Sequence, residues 1–384
     1  MKIAMIGQKG IPAVYGGVER HVEDLAGELV GQGHEVLVYA RKWYSPMKGR
    51  YKGIRVITTP TLHSKHLDTI IHTFTATIHA LFQKPDVIHY HGVGPSLLSW
   101  IPRVFAPHIK VVATFHCIDR KHQKWNFFAR FMLGIGEWMA CAFPHETIVV
   151  SKTLQSYCDN RYNALTEYIP NGVDVPKRAG VNVLKKFGLE KNGYVLMVSR
   201  LIRHKGAHYL IDAYNQLERQ KATQGKKLVI VGSGVFTEDY EAEIQELAAG
   251  NSNIVLTGAL GVADTQQLFS HAAVVVHPSE WEGLPIVVLE GMSHGKLVIA
   301  SDIPENMEVT RVHGLNFHNR SAKDLARKLR FALAHPDYLA SRGVAAKRFV
   351  LGNYRWDMVA RATEKLYESL LEERQVQAMP IRVR

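Results

Sequence analysis

The sequence predicts an α/β protein of two doubly wound, Rossmann-like domains. Three observations predict it. The length, 384 residues, exceeds what one hydrophobic core commonly supports. A short apolar strand, a glycine-containing loop, an amphipathic helix and a second strand open the chain, and the same sequence of elements begins again near residue 194. Between the two, Asn171-Gly172-Val173-Asp174-Val175-Pro176 reads as an irregular linker punctuated by Gly and Pro. The domains are therefore drawn at 1–175 and 176–353, with a closing segment at 354–384.

In the first domain, residues 2–6 form a buried-type strand and 7–17 a loop that ends in Gly16 and Gly17. Val22, Leu25, Ala26, Leu29 and Val30 recur at helical spacing, and Gly31 with Gly33 stops that helix before a strand at 35–39. In such folds ligands sit at the carboxyl ends of strands. The glycine pair suits either a plain tight turn or a close backbone approach to a phosphate or sugar. It is not a dinucleotide fingerprint, because Gly7-Gln8-Lys9-Gly10 lacks the Gly-x-Gly-x-x-Gly spacing.

An apolar helix at 67–82 leads to a strand ending in His89-Tyr90-His91, and a further buried strand at 110–115 ends at His116. Alternation sends His89 and His91 to one face, the look of a metal pair, but no third ligand is evident and no metal is expected. His116 read alone is a hydrogen-bonded structural histidine. Residues 120–132 mix cations with aromatics, among them Lys124, Trp125 and Phe128. That composition fits a segment lying on an anionic membrane surface and equally an amphipathic helix with its aromatics packed inside.

In the second domain a strand at 194–198 is followed by a loop carrying Arg200 and Lys205-Gly206, then by a helix with Tyr209, Leu210, Ala213, Tyr214 and Leu217. Two cations above a strand end, at a helix start, suit a diphosphate; on a surface loop such a pair is more often merely solvated. Strands follow at 227–231, at 254–258 ending in Thr257-Gly258, at 274–277 and at 297–300. A helix at 356–371 and a basic tail expected to fray from Glu372 close the chain.

The chemistry concentrates between the strands at 274–277 and 297–300. There Glu282 and Glu290 stand eight residues apart across a loop-to-helix junction. Gly283 permits the turn, Leu284 is apolar, and Pro285 suits the first helical position, so the helix is expected to begin near Pro285. Free N–H groups at a helix start attract phosphate. Ionised carboxylates offer only acceptors and so read hydroxyls. A ligand with sugar hydroxyls and phosphate would satisfy both.

Composition agrees. With 46% hydrophobic and 21% charged residues the chain is ordinary for a globular protein, and 47 Lys plus Arg against 35 Asp plus Glu gives a net charge of +12. That balance favours nucleotide phosphates, a lipid pyrophosphate or an acidic membrane face, while no nucleic-acid motif is present. Cys117, Cys141 and Cys158 lack metal-type spacing and read as reduced thiols of a cytosolic protein. The opening apolar run is too short for a signal peptide, and no run of about 18 apolar residues suggests a membrane span.

The Glu282/Glu290 pair in its Gly-Leu-Pro setting resembles the signature of glycosyltransferase family 4. Four further segments fall in that family's order: Gly16-Gly17, Thr114-Phe115-His116, Ile169-Pro170-Asn171-Gly172-Val173-Asp174, and Ser199-Arg200-Leu201 with Lys205-Gly206. The resemblance implies a GT-B fold, two Rossmann-like domains facing a central cleft, with the acceptor mainly on the first and a nucleoside-diphosphate sugar mainly on the second. It implies a retaining transfer without a metal or other cofactor. Glu282 and His116 would contact the donor sugar, Arg200 and Lys205 the leaving pyrophosphate, and Glu290 the ribose. Gly16 and Gly17 would lie over the donor phosphates, and Gly258 would open the loop that holds the base.

The segment Gly10-Ile11-Pro12-Ala13-Val14-Tyr15-Gly16-Gly17-Val18-Glu19 is similar to bacterial capsule and cell-wall rhamnosyltransferases. This implies a lipid-linked saccharide acceptor at the inner membrane face. The residues from Glu308 to Leu315 are shorter than the family's segment and lack its second Gly, which loosens any inference on donor choice. Two other roles share the fold: a nucleotide-sugar epimerase, which would act on donor alone, and a non-catalytic partner in a polysaccharide assembly.

Overall fold

The computed structural model describes residues 1–378 except 46, 48, 63, 65, 66, 122–126, 178, 235 and 236, and the backbone alone at 121, 128 and 373–378. Two units emerge, one formed by residues 1–171 with 356–384 and the other by 172–355. The boundary falls before Gly172 because Val173 donates its N–H to the Tyr354 carbonyl at 2.7 Å and bridges to Arg355. The Asn171 side chain meanwhile bonds His21 in the first unit.

The first unit holds β1 (Lys2–Ile6), β2 (Glu35–Arg41), β3 (Gly49–Tyr51), β4 (Ile54–Thr59), β5 (Val87–His91), β6 (Lys110–Phe115), β7 (Glu146–Val149) and β8 (Glu167–Tyr168). They form one sheet in the order β3-β4-β2-β1-β5-β6-β7-β8, parallel except where β3 meets β4. The second holds β9 (Tyr194–Val198), β10 (Lys227–Val231), β11 (Ile254–Gly258), β12 (Val274–His277), β13 (Val298–Ser301) and β14 (Leu315–Phe317), in the order β11-β10-β9-β12-β13-β14, all parallel.

Parallel strands are covered by helices on both faces and so read as unbroken apolar runs. Ile3 to Ile6 and Tyr194 to Met197 are fully buried, as that requires. The short or polar strands β3, β4, β7 and β8 carry no such run. Each sheet reverses its direction of growth once, between β1 and β5 and between β9 and β12, and at such a switch point a crevice opens above the strand ends.

The closing helix, Trp356–Ala378, packs Trp356, Val359, Ala360, Tyr367 and Leu370 among Ile3, Met5, Val22 and Leu25 of the first unit. It does not fray at Glu372. Residues 372–378 contain neither Gly nor Pro, and the first helix breaker is Pro380. The three cysteines are free thiols. Among the described residues no helix is long and apolar enough to cross a membrane.

Candidate active site

In the second unit the loops after β9 and β12 flank the switch point and are locked together. Gly206 has φ +74°, and a Cβ there would stand 2.2 Å from the Pro278 carbonyl oxygen, so only glycine lets the two loops approach. The Glu280 N–H donates to the His204 carbonyl at 2.7 Å, and the His204 and Trp281 rings stack with centroids 4.0 Å apart. The Glu280 carboxylate accepts from Tyr209 at 3.0 Å and from the Arg320 guanidinium at 2.7 and 3.0 Å. These contacts hold the loop that carries Glu282.

Glu282 lies nearly buried between two donors, the Lys205 ammonium and the His277 Nε2 at 2.9 Å. Burial pushes its carboxyl up, but the Lys205 charge and the His277 hydrogen bond outweigh this and hold it well below the usual carboxylate range. Lys205 is therefore engaged with Glu282. The guanidinium of Arg200, a half-buried residue earlier in the same loop, makes no hydrogen bond or ion pair among the described residues. It is the cation here with no resident anion.

The helix begins beside Pro285, as expected, with Ile286 rather than the proline as its first residue. The proline's φ of −77° and ψ of 106° leave it extended, as the N-cap of the helix Ile286–Ser293. It is buried with Gly283 and Leu284. The proline ring fixes φ and leaves ψ open. The first turn of that helix holds no acidic residue. Glu290 projects from its fifth position, with Gln266 Nε2 3.5 Å from its Oε1. Gly258, at the end of β11, adopts φ +69° and accepts the Gly232 N–H at 2.9 Å. Beyond β13, only residues 311–314 separate the helix Pro304–Thr310 from β14.

In the first unit the strand ends gather neutral imidazoles. His116 Nε2 lies 3.2 Å from His91 Nδ1, and the His21 ring meets His116 edge-on at 4.7 Å. His21 Nδ1 pairs with Asn171 Oδ1 at 2.9 Å, and His89 is held by Tyr367 at 2.6 Å and Thr114 at 2.7 Å. Burial lowers His21 to about 4 and His89 to about 3, and takes His91 and His116 well below the ordinary value. Strand spacing hid a third candidate metal ligand, His21, which comes from the helix Gly17–Gly31. Ring nitrogens of His21, His91 and His116 lie within 4.8 Å of one another, whereas His89 spends both nitrogens on hydroxyls. The group carries no carboxylate, and in this structure His91 and His116 bond to each other.

Gly16 caps the helix Gly17–Gly31 with φ +105°, and a Cβ there would stand 1.8 Å from Glu19 Oε2. That carboxylate also accepts the Lys9 N–H at 3.1 Å. The helix start beside Gly16 and Gly17 thus already holds an anion, which a phosphate would have to face. Lys124 and Trp125 lie outside the described residues, and of Phe128 only the backbone is described. Sequence reading missed His277, Glu280, Tyr209, Arg320 and His21 as contributors. Of these only His277 left a local signal, a polar residue ending the apolar run Val274-Val275-Val276.

An ion-paired glutamate, an unpaired guanidinium and a second glutamate, gathered at the switch point of a parallel sheet, define a site for a ligand that is both polyhydroxylated and anionic. The family comparisons agree with that class. Residues 15–177 match the model for Glycosyltransferase Family 4, and residues 183–372 match that for Glycosyl transferases group 1. The chain belongs to the family 4 glycosyltransferases, and solved enzymes of the GT-B fold share its architecture.

An uncharacterized glycosyltransferase of Methanocaldococcus jannaschii is 26% identical, across 97% of this chain and 99% of its own. A GDP-mannose-dependent alpha-(1-6)-phosphatidylinositol monomannoside mannosyltransferase of Mycobacterium tuberculosis is 25% identical, across 94% of this chain and 96% of its own. Among solved structures, the Anabaena protein HepE in complex with UDP-glucose superposes with a TM-score of 0.78 at 22% identity, covering 96% of this chain and all of its own.

Proposed function

We propose that this glycosyltransferase moves a sugar from a nucleoside diphosphate to a lipid-linked saccharide in surface polysaccharide assembly, with retention at the anomeric carbon and no divalent metal. The observation that carries the reading is the Lys205–Glu282 pair beside the unpaired Arg200. As the bond from the sugar to the diphosphate breaks, negative charge grows on the leaving phosphate and positive charge on the ring. Arg200 takes the phosphate directly, and Lys205 turns to it from Glu282. The leaving phosphate accepts the acceptor's proton on the face it vacates. Glu282 reads sugar hydroxyls and Glu290 the ribose diol, because carboxylates accept and hydroxyls donate. The neutral His116 ring can exchange a hydrogen bond with a hydroxyl without bringing a charge.

The lipid-linked acceptor is supported by a surface in the first unit. On the helix Phe127–Ala142, Phe127, Phe131 and Trp138 recur on one face and are 87%, 59% and 50% exposed, with the exposed Arg130 among them. The mycobacterial relative, by its name, acts on a phosphatidylinositol glycolipid. The opening segment similar to capsule and cell-wall rhamnosyltransferases supports the polysaccharide role.

A thermal-shift screen with UDP, GDP, ADP, dTDP and their sugars, with and without EDTA, tests the reading. A rise for one nucleotide class that EDTA leaves unchanged is expected. No rise with any nucleotide would overturn the donor site, and a rise abolished by EDTA would overturn the metal-free mechanism. Steady release of free sugar or an epimer from donor alone, unaccelerated by glycolipid, would point to the epimerase instead.

A further inference from the structure

Lys205 and His277 contact the same oxygen of Glu282. Both reach Oε1, while Oε2 has no partner among the described residues. His277 ends β12, is 1% exposed, and has its Nδ1 buried without a hydrogen bond, so its one polar contact is the one to Glu282. A carboxylate only accepts, so the imidazole must donate from Nε2, which sets its tautomer. Burying a polar ring at the end of a valine strand is costly unless its hydrogen bond is kept. The fold keeps this one.

The two donors differ in what an incoming anion does to them. The Lys205 ammonium sits on a flexible stem and serves whichever neighbouring anion is stronger. A diphosphate carries more charge than Glu282 and draws the ammonium away. The imidazole, rooted in the sheet, stays.

We propose that His277 is a positioning residue of the donor site: it keeps Glu282 Oε1 anchored when Lys205 turns to the diphosphate, and so keeps Oε2 aimed at the donor sugar. The proposal rests on the glycosyltransferase reading above and adds the group that makes Lys205 free to move.

The test compares His277→Leu with His277→Gln, whose amide can still donate to Oε1. Calorimetric titration with UDP and GDP is read beside kcat and KM for transfer from the matching nucleotide sugar. His277→Leu should bind the nucleoside diphosphate as the native protein does, yet lose about tenfold or more in kcat/KM, the scale on which misplaced groups cost rate. His277→Gln should recover most of that loss. Native turnover in His277→Leu would overturn the proposal. So would a fall in diphosphate affinity that matches the fall in turnover, or a folded His277→Gln as slow as His277→Leu. If the native protein binds neither UDP nor GDP, the donor-site reading itself fails and this proposal with it, an outcome distinct from any difference between variants.

Discussion

The two sheets share the order of six parallel strands and differ in what they place at the switch point. In the first unit the helix after β1 starts beside a resident carboxylate, Glu19, and the ends of β5 and β6 carry buried neutral imidazoles. In the second, the helix after β12 has no acid in its first turn, and the loop after β9 brings Lys205 and an unpaired Arg200. One strand-end set suits hydroxyl groups and the other a phosphate with hydroxyls attached. The fold supplies the crevice twice, and side-chain charge assigns its use.

Removing that charge difference is the largest perturbation. Arg200→Ala combined with Lys205→Ala should cut turnover by about 10²–10³-fold or more, as loss of preorganised charge at a leaving group does, and near-native sugar transfer would remove both residues from the mechanism. A smaller effect is expected from the second carboxylate. Glu290→Ala should weaken nucleoside diphosphate binding by about tenfold, the loss of one charge-assisted hydrogen-bonded contact; equal affinity on calorimetric titration would end its ribose role.

Acid should then separate the units by stability. His21, His72, His89, His91, His116 and His145 of the first unit all have values lowered by burial, whereas the second has His208 and His294. An imidazole with a depressed folded value stabilises fully above its unfolded value near 6.5, and that stability is lost as pH falls from there toward about 4. The loss is about 1 kcal/mol for each such group one pH unit below 6.5. Glu282, depressed as a carboxylate, loses its contribution only below the ordinary carboxylate range. Between pH 7.5 and 5.5, protection factors, which correct for the slower intrinsic exchange in acid, should therefore fall in β1, β5 and β6 more than in β9 and β12, and an equal change would contradict the assigned neutral state. Least affected by substitution should be the chemistry when Phe127, Phe131 and Trp138 are all replaced by Ser. Sedimentation with phosphatidylglycerol vesicles should fall several-fold while nucleoside diphosphate binding persists, and unchanged sedimentation would count against a membrane surface there.

Much of this was legible in linear order. Apolar runs located β1, β5, β6, β9, β10 and β12, because a strand buried on both faces needs no partner to reveal itself. Glycine and proline marked the linker and the loop before Ile286, and the spacing of Glu282 and Glu290 picked out the loop-to-helix junction. These are features of adjacent residues, set by sterics and by burial along a single element.

Contacts between distant segments were decided only when the sheets assembled. Nothing near His277 in the chain reveals that it shares an oxygen of Glu282 with Lys205, or that Pro278 closes on Gly206, 72 residues earlier by their numbering. The third histidine beside His91 and His116 comes from a helix some 70 residues upstream of His91, and Glu19 turned a glycine-rich helix start into an occupied one. A side chain's type is written in the sequence. Its partner, and with it its charge state and direction, depends on which strand ends the fold brings side by side.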